Sequence, residues 1–335
     1  MDNLTHTLTG IALSQAGLNR TTRFATLALI VGSNLPDVDS ISRVNGSLAY
    51  LEHHRGVTHS VFGVAVLALV LVAAIYYPGR QARPKPSAPP LRGGWLLLTC
   101  LVATSSHLLL DFTNAYGVRP LLPFSGRRYA WDIMPLIDPL LLFMLVIALG
   151  LPLIFRLVSE EVGARKSGYH AGAWCALGAL VLLWGLRDVN HRRVVNLLSS
   201  HNYSGESPLA QGAFPTANPF VWKGVVETDS AFHVLEADAL DSDVDAGHTT
   251  DFRKPEPSPA LRAALDTHLG RVYMDFARFP WAQVFTDEDG YEVRIRDLRF
   301  GSLSSPQPSF LATIELDRNL RARSQSFAFR GTPPG

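Results

Sequence analysis

Apolar positions are bunched at one end of this chain. Uninterrupted apolar runs occupy much of the first 190 residues, and after Arg187 they give way to polar sequence with two-residue alternation. Four runs read as membrane-crossing helices: Val61 to Tyr77, Trp95 to Leu110, Leu140 to Phe155 and Ala171 to Leu186. Each is near the short limit for a span. Pro152 falls near the end of the third, where neighbouring helices can satisfy the freed backbone groups, and Trp174 and Trp184 lie where interfacial aromatics are expected in the fourth. Two earlier segments, Leu4 to Gly17 and Phe24 to Pro36, are helical and apolar but too short to cross comfortably. They read as interfacial, re-entrant or bundle-buried helices.

Between the first two spans lies PGRQARPKPSAPPLRGG, a connector without an acidic residue that cannot build a core. Beyond Arg187, Tyr291 to Arg296 and Phe310 to Leu316 alternate with the period of half-buried strands. FPTANPFVWKG (214–224) reads as a turn-rich lead-in, and ALDSDVDAGHTTDFRKPEPSP as an exposed acidic loop. No internal repeat is visible. The expected fold is therefore a mostly α polytopic membrane helical bundle over residues 1–190, followed by a C-terminal β-rich extramembrane domain over residues 191–335.

Composition agrees with a membrane protein: 47% of the 335 residues are hydrophobic and 18% charged. The formal net charge of +1 gives no reason to expect nucleic acid as a partner. Cys100 and Cys175 both fall in apolar runs, which argues against a disulfide framework or a thiolate metal site. The N-terminus carries Asp2 and no basic stretch, so it does not read as a cleaved signal peptide. Pairing the spans as hairpins puts His54, His59, Asp111 and the β-rich domain on one side of the membrane. The opposite loops hold Arg80, Arg83, Lys85, Arg92, Arg165 and Lys166, whereas the loop after Asp111 holds Arg119, Arg127 and Arg128 partly offset by Asp132 and Asp138. Counted on Lys and Arg, the positive-inside rule places the shared side outside the cytoplasm.

Candidate chemistry collects on that side. SSHLLLDFTNAYG sets His107 and Asp111 four apart, one above the other on a helix face at the end of a span, where an ionisable residue is costly unless it serves a function. GSNLPDVDS offers Asp37 and Asp39 in a turn, which alone would read as solvated surface acids. LEHHRGVTHS offers His54 and His59 with His53 as a spare, and NLTHTLTG offers His6, which alone would read as a packed or capping histidine. Together His6, Asp37, Asp39, His59, His107 and Asp111 form a nitrogen and oxygen donor set for a divalent metal, zinc first and manganese or iron next. His54 and Arg55 stand beside it as candidate catalytic groups. Arg55 could orient a substrate anion or sit near lipid phosphate, and Thr58, Ser60 and Asn114 could support the metal ligands. For Asp132 and Asp138 a structural role, including a salt bridge to Arg128, comes ahead of ligation. No glycine-rich phosphate loop, nucleophile elbow or HExxH is present.

The motifs HTLTG, NLPDVD, HHRGVTHS, HLLLDFTNAYG and PFSGRRYAWDIMPLIDP, in that order, resemble the YdjM-type family of inner-membrane proteins, described as metal-dependent hydrolases. The resemblance covers about the first 140 residues and implies an inner-membrane protein with a catalytic metal. FPTANPFVWKG looks like the start of an extra C-terminal domain that some members carry. More distantly, the order His, Asp, His, HxxxD looks like the zinc-dependent phospholipases C and the fungal single-strand nucleases. That likeness implies His6, Asp37 or Asp39, His59, His107 and Asp111 as ligands. The chain departs from it in having one HxxxD and no N-terminal tryptophan.

The expectation is a membrane-bound metal-dependent hydrolase acting on a phosphoester, with a membrane lipid or lipid-linked phosphate as substrate. The alternatives are a scaffold in which the metal staples loops and the β-rich domain binds a partner, and a transporter using His107 and Asp111 as a proton relay.

Overall fold

The computed structural model describes residues 1–84, 86–162, 170–203, 205–244, 249–301 and 309–330. Lys85, Arg165 and Lys166, counted above in the charge asymmetry, lie outside the described residues. The chain divides into two compact units: Met1–Asp39 with Arg55–Asp188, and Ser40–His54 with Val189–Gly335.

The first unit is helical. α1 (Asn3–Gln15) starts where the Asp2 side chain accepts the Thr5 amide at 3.0 Å, and α2 (Ala25–Gly32) follows after a turn. Both short helices join the bundle, α1 against α2 and α6 (Pro139–Val162), α2 against α5 (Gly93–Phe112). A 3₁₀ stretch, Leu35–Asn45, carries the Asp-rich turn. α4 (Val61–Gln81), α5 and α7 (His170–Ser200) are long and apolar enough to cross a membrane. Each extends beyond the apolar run that announced it, because helical backbone continues through polar residues once its bonds are formed. The third expected span corresponds to α6, in which the apolar stretch among described residues, Pro139–Pro152, is shorter.

Ala28, Ala68, Leu71, Leu96 and Cys100 form the seam of α2, α4 and α5, while Ala12, Leu110, Leu141, Leu145, Ala173 and Leu180 join α1, α5, α6 and α7. Small residues at such seams let helix backbones approach. A Cβ on Gly32 would stand 2.7 Å from the Ala103 Cβ, so α2 meets α5 closely only because that position is glycine. The same contact brings the turn after α2 beside the C-terminal half of α5. Asp138 caps α6 by accepting the Leu141 amide at 2.8 Å, and its second oxygen takes a 2.6 Å bond from the buried Arg187 of α7. The partner of Asp138 is thus Arg187, not Arg128.

The second unit contains two four-stranded antiparallel sheets, β1 to β4 (Ala210–Pro215, Val221–Glu227, Ala231–Asp238, Thr250–Arg253) and β5 to β8 (Pro280–Thr286, Gly290–Asp297, Ser309–Asp317, Ala322–Arg330). Each sheet runs in sequence order, with successive strands paired antiparallel. Trp222, Val226 and Leu235 bury against Val194 and Leu198 from the end of α7. α8 (Pro259–Leu265) and α9 (His268–Phe276) precede the second sheet, and bury Ala264, Leu269, Tyr273 and Phe276. These two short helices accompany the sheets of the expected β-rich domain, and Ser258 capping α8 ahead of Pro259 is a start signal the sequence displays. The expected acidic loop also holds β4, which pairs with β3 despite its polar residues.

Ser40–His54 belongs with this second unit. Its helix α3 (Ser47–His53) packs against α9 and β8: Leu51 is fully buried, and Tyr50 meets Phe329 edge-on at 5.4 Å with Arg43 over both rings.

Candidate metal centre

Three chain segments of the first unit converge on one point. Asp37 comes from the 3₁₀ stretch after α2, His59 from a 3₁₀ turn (Val57–His59) just before α4, and His107 and Asp111 from adjacent turns of α5. One ligand atom from each of the four lies within 4.8 Å of the others. The His59 and His107 Nε2 atoms are 3.1 Å apart, and His59 Nε2 lies 3.5 Å from Asp37 Oδ1 and 3.3 Å from Asp111 Oδ2. His107 Nε2 stands 3.6 and 3.7 Å from the same two oxygens. Ligand bonds of about 2.0–2.2 Å imply tetrahedral edges of about 3.3–3.6 Å, so this donor spacing fits a divalent ion.

The hydrogen bonds behind the imidazoles give the same answer. His107 Nδ1 donates to the Ser33 carbonyl at 2.7 Å, which leaves a lone pair on Nε2. His59 Nδ1 donates to Asp39 Oδ2 at 3.1 Å, with the same consequence. Two imidazole lone pairs and two carboxylate oxygens therefore face one another, an arrangement that repels unless a cation lies among them. The His and Asp111 side chains are buried, whereas the Asp37 side chain retains 18% exposure, so the centre opens on the Asp37 side.

Other expected residues surround the four. Asp39 Oδ2 accepts from the Arg55 amide at 2.9 Å and the Thr58 hydroxyl at 2.8 Å as well as from His59. One carboxylate thus fixes an imidazole and the turn that carries it. Arg55 is buried, with a left-handed φ of 55°; its Nε lies 2.9 Å from Asp111 Oδ2, its Nη1 donates to Asn114 Oδ1 at 2.7 Å, and its guanidinium covers Tyr116. A strained non-glycine backbone beside converging ligands marks a place where the fold holds a side chain against local preference. Ser60 instead caps α4 through the Gly63 amide. His6 of α1 stacks on His107 at 3.9 Å, with Nε2 3.3 Å from Asp111 Oδ1, and the Met1 nitrogen contacts that same oxygen. Burial, reinforced by His107, pushes the His6 pKa well below its ordinary value and keeps the ring neutral. His54 lies in the second unit, stacked on Tyr50 at 4.3 Å. The Ser33 carbonyl had no sequence signal, since any residue type can supply a backbone acceptor.

Comparison with known proteins places these residues in context. The chain is 27% identical over 339 aligned residues to the uncharacterized protein YfhP of Bacillus subtilis (strain 168), covering 97% of this chain and 94% of that protein. Residues 259–330 match the YfhP C-terminal alpha/beta plait domain, which corresponds to α8, α9 and β5 to β8. No solved structure matches. Residues 1–193, more than half of the chain and including every donor at the centre, match the YdjM inner membrane protein model, and the chain belongs to that family.

Proposed function

We propose that this protein is a membrane-bound metal-dependent hydrolase whose ion is held by Asp37, His59, His107 and Asp111, and whose substrate is a phosphoester, a membrane lipid or lipid-linked phosphate. The observation that carries the reading is the convergence of four acceptor atoms at 3.1–3.7 Å with both imidazoles already oriented from behind. The all nitrogen and oxygen set suits zinc, with manganese and iron next. A divalent ion here supplies Lewis-acid polarisation and lowers the pKa of water towards about 7. Asp39 and Ser33 keep the imidazoles facing inward. Arg55, fixed by Asp111 and Asn114, orients an anionic oxygen of the substrate, and the opening beside Asp37 admits it. A lipid substrate follows from the position of His107 and Asp111 at the end of a membrane-length helix. The hairpin pairing and the arginine count support a site on the outer side of the inner membrane, with the C-terminal domain on that side.

A second reading has one observation in its favour: four protein donors are enough to close a structural site, which would make the ion a staple. The buried Arg55 and His6 beside the four favour the enzyme, because a staple requires neither. The test is metal content per chain of detergent-purified protein, with His59→Ala and Asp111→Ala variants checked for fold by circular dichroism. Near-stoichiometric metal lost in both variants, followed by turnover of bis(p-nitrophenyl) phosphate or of phospholipid vesicles, is the expected result. Bound metal without turnover on either class would favour the staple, and no metal after reloading would overturn both.

A further inference from the structure

We infer that the first unit holds a second divalent cation, seated between His6 and the Asp111 oxygen that faces away from His59 and His107. The inference rests on the metal reading above and deepens it, since it changes the centre from one ion to a pair bridged by a carboxylate.

The Asp111 carboxylate is divided between two environments. Its Oδ2 faces His59 and His107, and its Oδ1 lies 3.3 Å from His6 Nε2. That separation is again the edge expected between two ligands of one ion. His6 itself is the stronger indication. Its side chain is completely buried, yet neither ring nitrogen has a hydrogen-bond partner among the described residues. A buried polar atom without a partner destabilises the fold, and an apolar side chain would fill the same space without that cost. A cation at Nε2 accounts for the imidazole. The ring also stacks on His107, with 3.9 Å between centroids and 18° between planes, which places the His6 imidazole directly beside the first set of ligands.

Two ions that share a carboxylate sit about 3.5–4 Å apart in two-metal sites, where they clamp both the attacking and leaving oxygens of an in-line displacement. This arrangement fits phosphodiesters and phosphomonoesters better than carboxylic esters, because the phosphoryl group offers two anionic oxygens to the pair. The competing occupant of the position is the Met1 nitrogen, which touches the same Asp111 oxygen and as an ammonium would neutralise it without a second ion.

The experiment uses the full chain in detergent, stripped with chelator and reloaded with manganese. Equivalents per chain are counted by mass spectrometry, and electron paramagnetic resonance reads the coupling between ions. The expected result is two equivalents with an exchange-coupled signal in the parent protein. His6→Gln and His6→Ala should fall to one equivalent with an uncoupled six-line signal. Saturation of the parent at one uncoupled equivalent would overturn the inference and leave the single-ion hydrolase standing. Two coupled equivalents in both His6 variants would also overturn it. No bound manganese in the parent, with no zinc taken up on reloading either, would remove both readings.

Discussion

Replacing Asp39 tests whether the residues behind the ligands matter as much as the ligands. Asp39→Asn preserves shape and removes charge from an oxygen that takes three donors: the Arg55 amide at 2.9 Å, the Thr58 hydroxyl at 2.8 Å and His59 Nδ1 at 3.1 Å. The amide cannot stabilise the N–H on Nδ1 as a carboxylate does. His59 then samples the tautomer that points a proton, not a lone pair, at the ion. Loss of such a partner typically weakens metal affinity by about 10–100-fold, or about 1.4–2.7 kcal/mol at about 1.36 kcal/mol per decade. Asp39→Ala should lie at the upper end, because the Arg55 and Thr58 donors lose their acceptor too. The assay is zinc competition against a chelating dye in detergent, with circular dichroism confirming helix content. Zinc affinities within threefold of the parent for both variants, with the fold intact, would refute the supporting role assigned to Asp39.

Gly63→Ala should disrupt the centre without touching a ligand: the added Cβ would stand 1.8 Å from the Val57 carbonyl oxygen, displacing the turn that carries His59, and metal content should fall with thermal stability. Arg187→Met or Asp138→Asn alone should cost about 3–5 kcal/mol by removing one partner of a buried charge pair, whereas the double variant should recover much of it; additive losses in denaturation cycles would contradict the pairing. Lys223, whose ammonium donates to the Phe300 and Gly301 carbonyls, is pulled by burial, against the raising effect of Asp297, down to about 8. Between about pH 8 and 10 the unfolded chain holds the proton that the folded one has released, so stability should rise with pH there, and Lys223→Met should flatten that slope in thermal melts.

Residues with their own periodicity or chemistry were legible in the sequence. The runs that became α4, α5 and α7 announced themselves by length, and His107 with Asp111 by helical spacing at the end of a span. Asp37 and Asp39 looked equivalent in NLPDVD, yet the 3₁₀ geometry aims one at the centre and the other at the back of His59. Spacing of two in a tight turn does not fix direction, so only the fold separates their placement. α8 and α9 were obscured because seven and nine residues are too few to establish a helical period. The Asp138–Arg187 pair is a contact across 49 positions, which composition cannot register.

The excursion of Ser40–His54 into the second unit has a consequence for biosynthesis. Its partners α9 and β8 are encoded far downstream, β8 ending roughly 280 residues after α3. At about 5–20 residues per second the ribosome needs about 14–55 s to deliver them. Through that interval Leu51 and Tyr50 have no core to enter, although the residues on both sides of the excursion can already gather around α5. A nascent chain stalled before β8 should therefore present α3 to chaperones and proteases although all four candidate ligands, Asp37, His59, His107 and Asp111, have already been synthesised.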